Sequence, residues 1–274
     1  MAREALADGV SPRAAVFIAT ALILSFFSLA GAAAARDFGS GACATPDSLL
    51  ASDVALPHVA ARLKAGQPLR IVAIGSSSTR GAGASDAAHA YPAVLQDELG
   101  HHFPASAIEV FNKGVNGQRA PAMMARFEHD VFAEKPDLVI WQVGTNSIIQ
   151  SNGVDQNESW LHDGIARLRA VGVDIILMNP QFAPKVTADP DYPDMLSIID
   201  RVSRSERVML FPRFAVMQHW ISSGQARLED ILSRDGLHMN DLSYGCLAGL
   251  VADQIDLAVR GDGRQLIAGP QPRP

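Results

Sequence analysis

The chain has 274 residues, of which 48% are hydrophobic and 19% charged, and its formal net charge is −6. That length suits one large domain or two small ones, and the apolar share is enough for a sizeable core, which excludes global disorder. The acidic balance and the lack of any Lys/Arg cluster exclude a general nucleic-acid binder.

The first element is separate from the rest. Residues 14–35 carry no charge, follow Arg3 and Arg13, and end in small residues just before Arg36. This is the pattern of a secretory signal peptide over residues 1–35, and it predicts an exported chain, periplasmic or secreted. The alternative is an uncleaved anchor, since 22 uncharged residues can span a bilayer. Membrane contact is expected only through this segment. The two cysteines, Cys43 and Cys246, are an even pair in an exported chain and are expected to form a disulfide. A lipid anchor at Cys43 is disfavoured, because it lies well past the apolar run and lacks the preceding leucine. The pair has no zinc-like spacing, and no metal site is expected.

A lead-in and a helical stretch around 49–64, together residues 36–66, precede a regular alternation. Apolar runs at 69–74, 108–112, 137–143, 174–179 and 207–211 read as strands. Between them, 91–103, 121–134, 158–172 and 194–206 read as helices, and an amphipathic run at 241–259 closes the domain. Strands separated by helices of this length read as βαβ units around a parallel sheet, with both faces covered. A single domain over 67–262 is expected, doubly wound with five strands, followed by a flexible Gly/Pro-rich tail at 263–274. Ligands of such sheets sit beyond the carboxyl ends of the strands. The loops there read "GSSSTRGAGAS" (75–85), "NKGVNGQ" (112–118) and "GTNS" (144–147).

The first loop is not a phosphate cradle. Gly75 to Gly81 is one residue too long for a P-loop and no lysine follows, and the dinucleotide fingerprint also fails. A serine nucleophile needs a histidine to take its proton and a carboxylate to orient the imidazole. His101 and His102 end a helix. His58, His129 and His162 lie in polar helical contexts, and His89 and His219 are assigned no carboxylate partner. His238, in "RDGLHMND", lies three residues after Asp235 and just before the last helix. A loop bent at Gly236 would fold the carboxylate onto Nδ1. Gly117 and Asn146 could supply donors to a developing oxyanion, or could simply be a turn glycine and a helix cap.

Together, "GSSST", "GVNG", "GTN" and "DGLH" resemble, in order, the four blocks of the SGNH hydrolases, also called the GDSL esterase/lipase family. The resemblance spans 69–259 and implies a flavodoxin-like α/β/α sandwich. It implies Ser77 as nucleophile with Asp235 and His238 completing a triad. It also implies an oxyanion hole built from the N–H groups of Ser77 and Gly117 and the amide of Asn146. Ser76 replaces the family's usual aspartate and Ser147 an often acidic residue, which puts in question how the first and third loops are held. The expectation is an exported serine esterase acting on small acyl groups, such as O-acetyl on carbohydrate, with no metal or organic cofactor. Transfer of the acyl group to another alcohol, or carbohydrate binding without catalysis, are the alternatives. With three Trp and three Tyr an extensive aromatic platform for polysaccharide is not expected, although Trp141, Trp160 and Trp220 could contribute, and the Pro-rich stretch 178–193 is either a substrate-shaping loop or a surface connection.

Overall fold

The computed structural model describes residues 43–150 and 153–261; the expected signal segment and the C-terminal tail lie outside them. Five strands form one parallel sheet: β1 Leu69–Gly75, β2 Ile108–Gly114, β3 Leu138–Gln142, β4 Asp174–Met178 and β5 Met209–Phe211, in the order β2-β1-β3-β4-β5. This is the flavodoxin-type order, in which the chain switches direction across the sheet between β1 and β3. β1, β3 and β4 are nearly continuous runs of Ile, Val and Leu because helices cover both of their faces. β2 departs from the expected burial. It is an edge strand, and its residues are only partly covered.

The helices Tyr91–His102 and Asp241–Arg260 pack against each other, and Asn157–Ala170 packs against Tyr192–Glu206. Asp241–Arg260 is the one described helix long and apolar enough to cross a membrane by composition. Its Tyr244, Cys246, Leu247, Val251 and Ile255 are instead buried in the protein core. The lead-in is tied to the same core by several contacts. Cys43 is disulfide-bonded to Cys246, the Trp220 indole donates to the Cys43 carbonyl, and the Gln254 amide donates to the Leu50 carbonyl.

Two expected helices differ. The stretch 49–64 is broken into Asp47–Leu50 and Pro57–Lys64, with Pro57 starting the second piece, where its missing N–H costs nothing. The stretch 121–134 is broken into Ala120–Met124, Phe127–Asp130 and a single 3-10 turn, Phe132–Glu134. At the break, Arg126 turns its guanidinium onto the carbonyls of Gly75 and Lys113 and onto Asp130. Phe127 and Phe132, five positions apart, pack on each other, with Phe127 also against Trp141. An unbroken helix would place positions five apart on different faces. Several short helices and one of ten residues, Arg213–Ser222, have no counterpart in the sequence reading.

Candidate active site

Ser77 follows the last residue of β1 by two positions and opens a single helical turn, Ser77–Arg80, which ends at Gly81 in the left-handed region. A strand that breaks directly into a helical turn holds its first side chain up at the sheet end. The Ser77 Oγ is 2.7 Å from His238 Nε2, and His238 Nδ1 is 2.5 Å from Asp235 Oδ2. A carboxylate can only accept, so Nδ1 carries the hydrogen and Nε2 is left to accept from the serine hydroxyl.

The loop bearing the pair is shaped by local hydrogen bonds. Leu232 and Met239 form an antiparallel bridge, Ser233 N–H donates to the His238 carbonyl, and Gly236 turns the chain at φ +66°. Asp235 Oδ1 accepts from the Leu237 and His238 N–H groups and from Ser233 Oγ. Partial burial alone would raise the Asp235 pKa, but these bonds and the one from the His238 ring hold it far below the ordinary carboxylate range. Gly83, at φ +91°, lets the first loop lie against this turn. A Cβ there would sit 2.3 Å from the Met239 carbonyl oxygen and 2.9 Å from the His238 Cβ.

The second and third loops close on the first. Val115 N–H donates to the Gly75 carbonyl, and Asn146 Nδ2 donates to the Gln118 carbonyl at 3.0 Å. Gly117 has φ +73°, and its carbonyl accepts from Gln150 Nε2. Asn146 is buried at the start of the helix Thr145–Ile149, whereas Gly117 is exposed. Ser77, Asp235 and His238 are thus joined by hydrogen bonds, and Asn146 meets the second loop at the carbonyl of Gln118, the residue after Gly117.

Ser76 and Ser147 hold their loops without a carboxylate. Ser76 gives both its N–H and its hydroxyl to Gln142 Oε1, at 3.0 and 2.9 Å. Ser147 Oγ donates to Asn157 Oδ1, which anchors the next helix. Gln142 is missed by the sequence reading. The available signal was a polar residue inside the apolar run 137–143, since a buried amide requires partners.

Two expectations are corrected. His89 does have a carboxylate partner, because Asp86 Oδ1 is 2.8 Å from its Nδ1. Asp86 also caps the 3-10 turn Ala87–His89 through the Ala88 and His89 N–H groups, so the pair belongs to a turn start. Trp141 and Trp220 are fully buried and cannot form a sugar platform. Trp160 remains partly exposed, with the Arg119 guanidinium 5.9 Å from its ring.

The profile of the non-GDSL lipase-like family matches residues 42–261. The chain is 30% identical over 98 residues to an acetylxylan esterase of Geobacillus stearothermophilus, a match covering 32% of this chain and 45% of that protein. It is 24% identical over 166 residues to an arylesterase of Vibrio mimicus, covering 60% and 78% respectively. Among solved structures, a two-domain esterase active on acetylated mannans superposes with a TM-score of 0.64 at 19% identity, over 82% of this chain and 58% of that one. That likeness concerns the fold. The chain spans less than half of the Geobacillus relative and little more than half of the mannan-active esterase.

Proposed function

The chain belongs to the non-GDSL lipase-like family, within the SGNH-like hydrolases, and we propose that it is an exported serine esterase that cleaves carboxylic esters through Ser77, His238 and Asp235. The observation that carries this reading is the unbroken series Ser77 Oγ, His238 Nε2, His238 Nδ1, Asp235 Oδ2, with separations of 2.7 and 2.5 Å across its two hydrogen bonds.

In this mechanism Ser77 Oγ adds to the ester carbonyl carbon as its proton passes to His238 Nε2. Asp235 keeps the ring in the required tautomer and stabilises the imidazolium. The tetrahedral oxygen is met by the N–H groups of Ser77 and Gly117 and by the second amide hydrogen of Asn146, the first being held by Gln118. Collapse expels the alcohol, which takes its proton from His238, and leaves Ser77 acylated. Water then repeats the sequence and releases the acid. The cycle requires no metal or organic cofactor.

The substrate is a small acyl ester, with O-acetyl carbohydrate the leading class. The named activities of the acetylxylan esterase and the mannan-active esterase support it, as does the partly exposed Trp160 beside Arg119, next to the second loop. Export is supported by the uncharged segment 14–35 and by the Cys43–Cys246 bond, which persists in oxidising compartments. The test is p-nitrophenyl acetate hydrolysis by wild type, Ser77→Ala and Ser78→Ala, followed by acetate release from acetylated xylo-oligosaccharide with and without an acceptor sugar. Loss in Ser77→Ala alone supports the reading. Full activity in Ser77→Ala contradicts it, and acetyl transfer in place of acetate release would make the protein a transferase.

A further inference from the structure

Arg213 is fully buried, and among the described residues no carboxylate is a hydrogen-bond partner of it. Burial pulls its pKa down to about 10, so it remains a cation at neutral pH. A buried unpaired cation is costly, and an apolar side chain of similar size would pack more cheaply there. Its Nε donates to the Asn179 carbonyl and its Nη2 to Gln181 Oε1 at 2.9 Å.

Those bonds have a direction. Guanidinium can only donate, so the Gln181 atom facing it must be the oxygen, and Nε2 must face the other way, toward the Leu237 carbonyl at 3.3 Å. Thr145 Oγ1 also donates to Gln181 Oε1, at 2.9 Å, which leaves its lone pairs for Gln142 Nε2 at 3.5 Å. Gln142 Oε1 is then fixed toward Ser76, whose backbone N–H can likewise only donate. Both ends of the series are obligate donors, so no amide in it can flip without losing bonds at both of its ends.

The series touches the three loops at the residue beside each reacting group: Ser76 before Ser77, Thr145 before Asn146, and Leu237 before His238. We propose that Arg213, Gln181, Thr145 and Gln142 are positioning residues, a buried chain with donors fixed at both ends that sets the spacing of Ser77, Asn146 and His238. The inference rests on the catalytic reading of those three residues. It accounts for Ser76, which reaches Gln142 in place of the aspartate usual in the family.

The test pairs Thr145→Val, which keeps the shape and removes the hydroxyl, with Thr145→Ser, which restores it. In p-nitrophenyl acetate hydrolysis Thr145→Val should lower kcat about tenfold or more while KM stays within about twofold, with a cooperative melt. Thr145→Ser should recover kcat to within about twofold of wild type. In the wild type, NMR should find the Gln142 and Gln181 side-chain amide protons protected from exchange, with that protection lost in Thr145→Val. A folded Thr145→Val with wild-type kcat overturns the proposal, as do freely exchanging amides in the wild type. Should Thr145→Val fail to fold, the wild-type exchange decides alone. Ser77→Ala in the same assay separates the two readings: if it keeps full activity the esterase mechanism falls, while the exchange measurement still judges the chain.

Discussion

Ser76 and Ser78 flank the proposed nucleophile and are both buried, yet they face different surroundings. Ser76 is committed to Gln142, whereas the Ser78 hydroxyl, beside the buried Tyr244 phenol, makes no well-formed hydrogen bond among the described residues. Ser78→Ala should therefore keep near-wild-type hydrolysis in the assay that Ser77→Ala abolishes. Removing one oxyanion donor by Asn146→Ala should lower kcat about 100- to 1,000-fold, measured on the purified folded variant. The pH profile follows from Asp235. Its folded pKa is depressed, so the stability it lends the turn is present above the unfolded carboxylate pKa and lost only as pH falls through the folded one. Through mildly acidic pH it stays ionised and adds no proton of its own, so the acid limb of kcat/KM should have a log–log slope of about one; a slope of two would contradict this. The sequence reached Asp235 and His238 because D-x-x-H spacing bends the carboxylate back onto Nδ1. Asp86 and His89 share that spacing and make the same local contact, so the spacing alone does not distinguish a site from a turn start. The distinguishing fact is that His238 Nε2 meets a serine 161 positions away, and only the fold and the neighbouring blocks carry that information.

At the scale of elements, close approaches between layers set the sensitive positions. Gly164, in the helix Asn157–Ala170, lies so near Trp141 of β3 that an added Cβ would come within 2.2 Å of the indole. Gly164→Ala should therefore destabilise the protein by about 1–3 kcal/mol through overpacking, despite the better helix propensity of alanine; thermal or urea melts would show it. The Cys43–Cys246 bond closes a sequence separation of 203 and ties the lead-in to the long last helix. Replacing both cysteines with serine should cost about 2–5 kcal/mol in urea unfolding. Strands β1, β3 and β4 were legible from their nearly continuous apolar runs. The two broken helices were not, because the causes are tertiary: Arg126 reaching carbonyls at the ends of β1 and β2, and Phe127 turned onto Trp141. The helix Arg213–Ser222 escaped for a related reason, since five of its residues, Arg213 included, are buried and only Gln218, His219 and Ser222 mark a polar side.

For the molecule as a whole, the order β2-β1-β3-β4-β5 explains why this site is where it is. The chain reverses direction across the sheet between β1 and β3, so the connections leave a crevice at their carboxyl ends, and Ser77 and Asn146 follow those two strands. Parallel architecture and loop composition were readable in the sequence. The buried chain beneath the crevice was not, because Gln142 with Thr145, Gln181 and Arg213 lie on three segments that only the sheet brings together. The central claim is that Ser77 is acylated with His238 as its base. The most direct measurement is labelling with a fluorophosphonate probe followed by peptide mass spectrometry, on wild type, Ser77→Ala and His238→Ala. The account predicts one modification, on the peptide containing Ser77 and at that residue, absent in Ser77→Ala and strongly slowed in His238→Ala. Labelling at another serine, or undiminished labelling in Ser77→Ala, would contradict it.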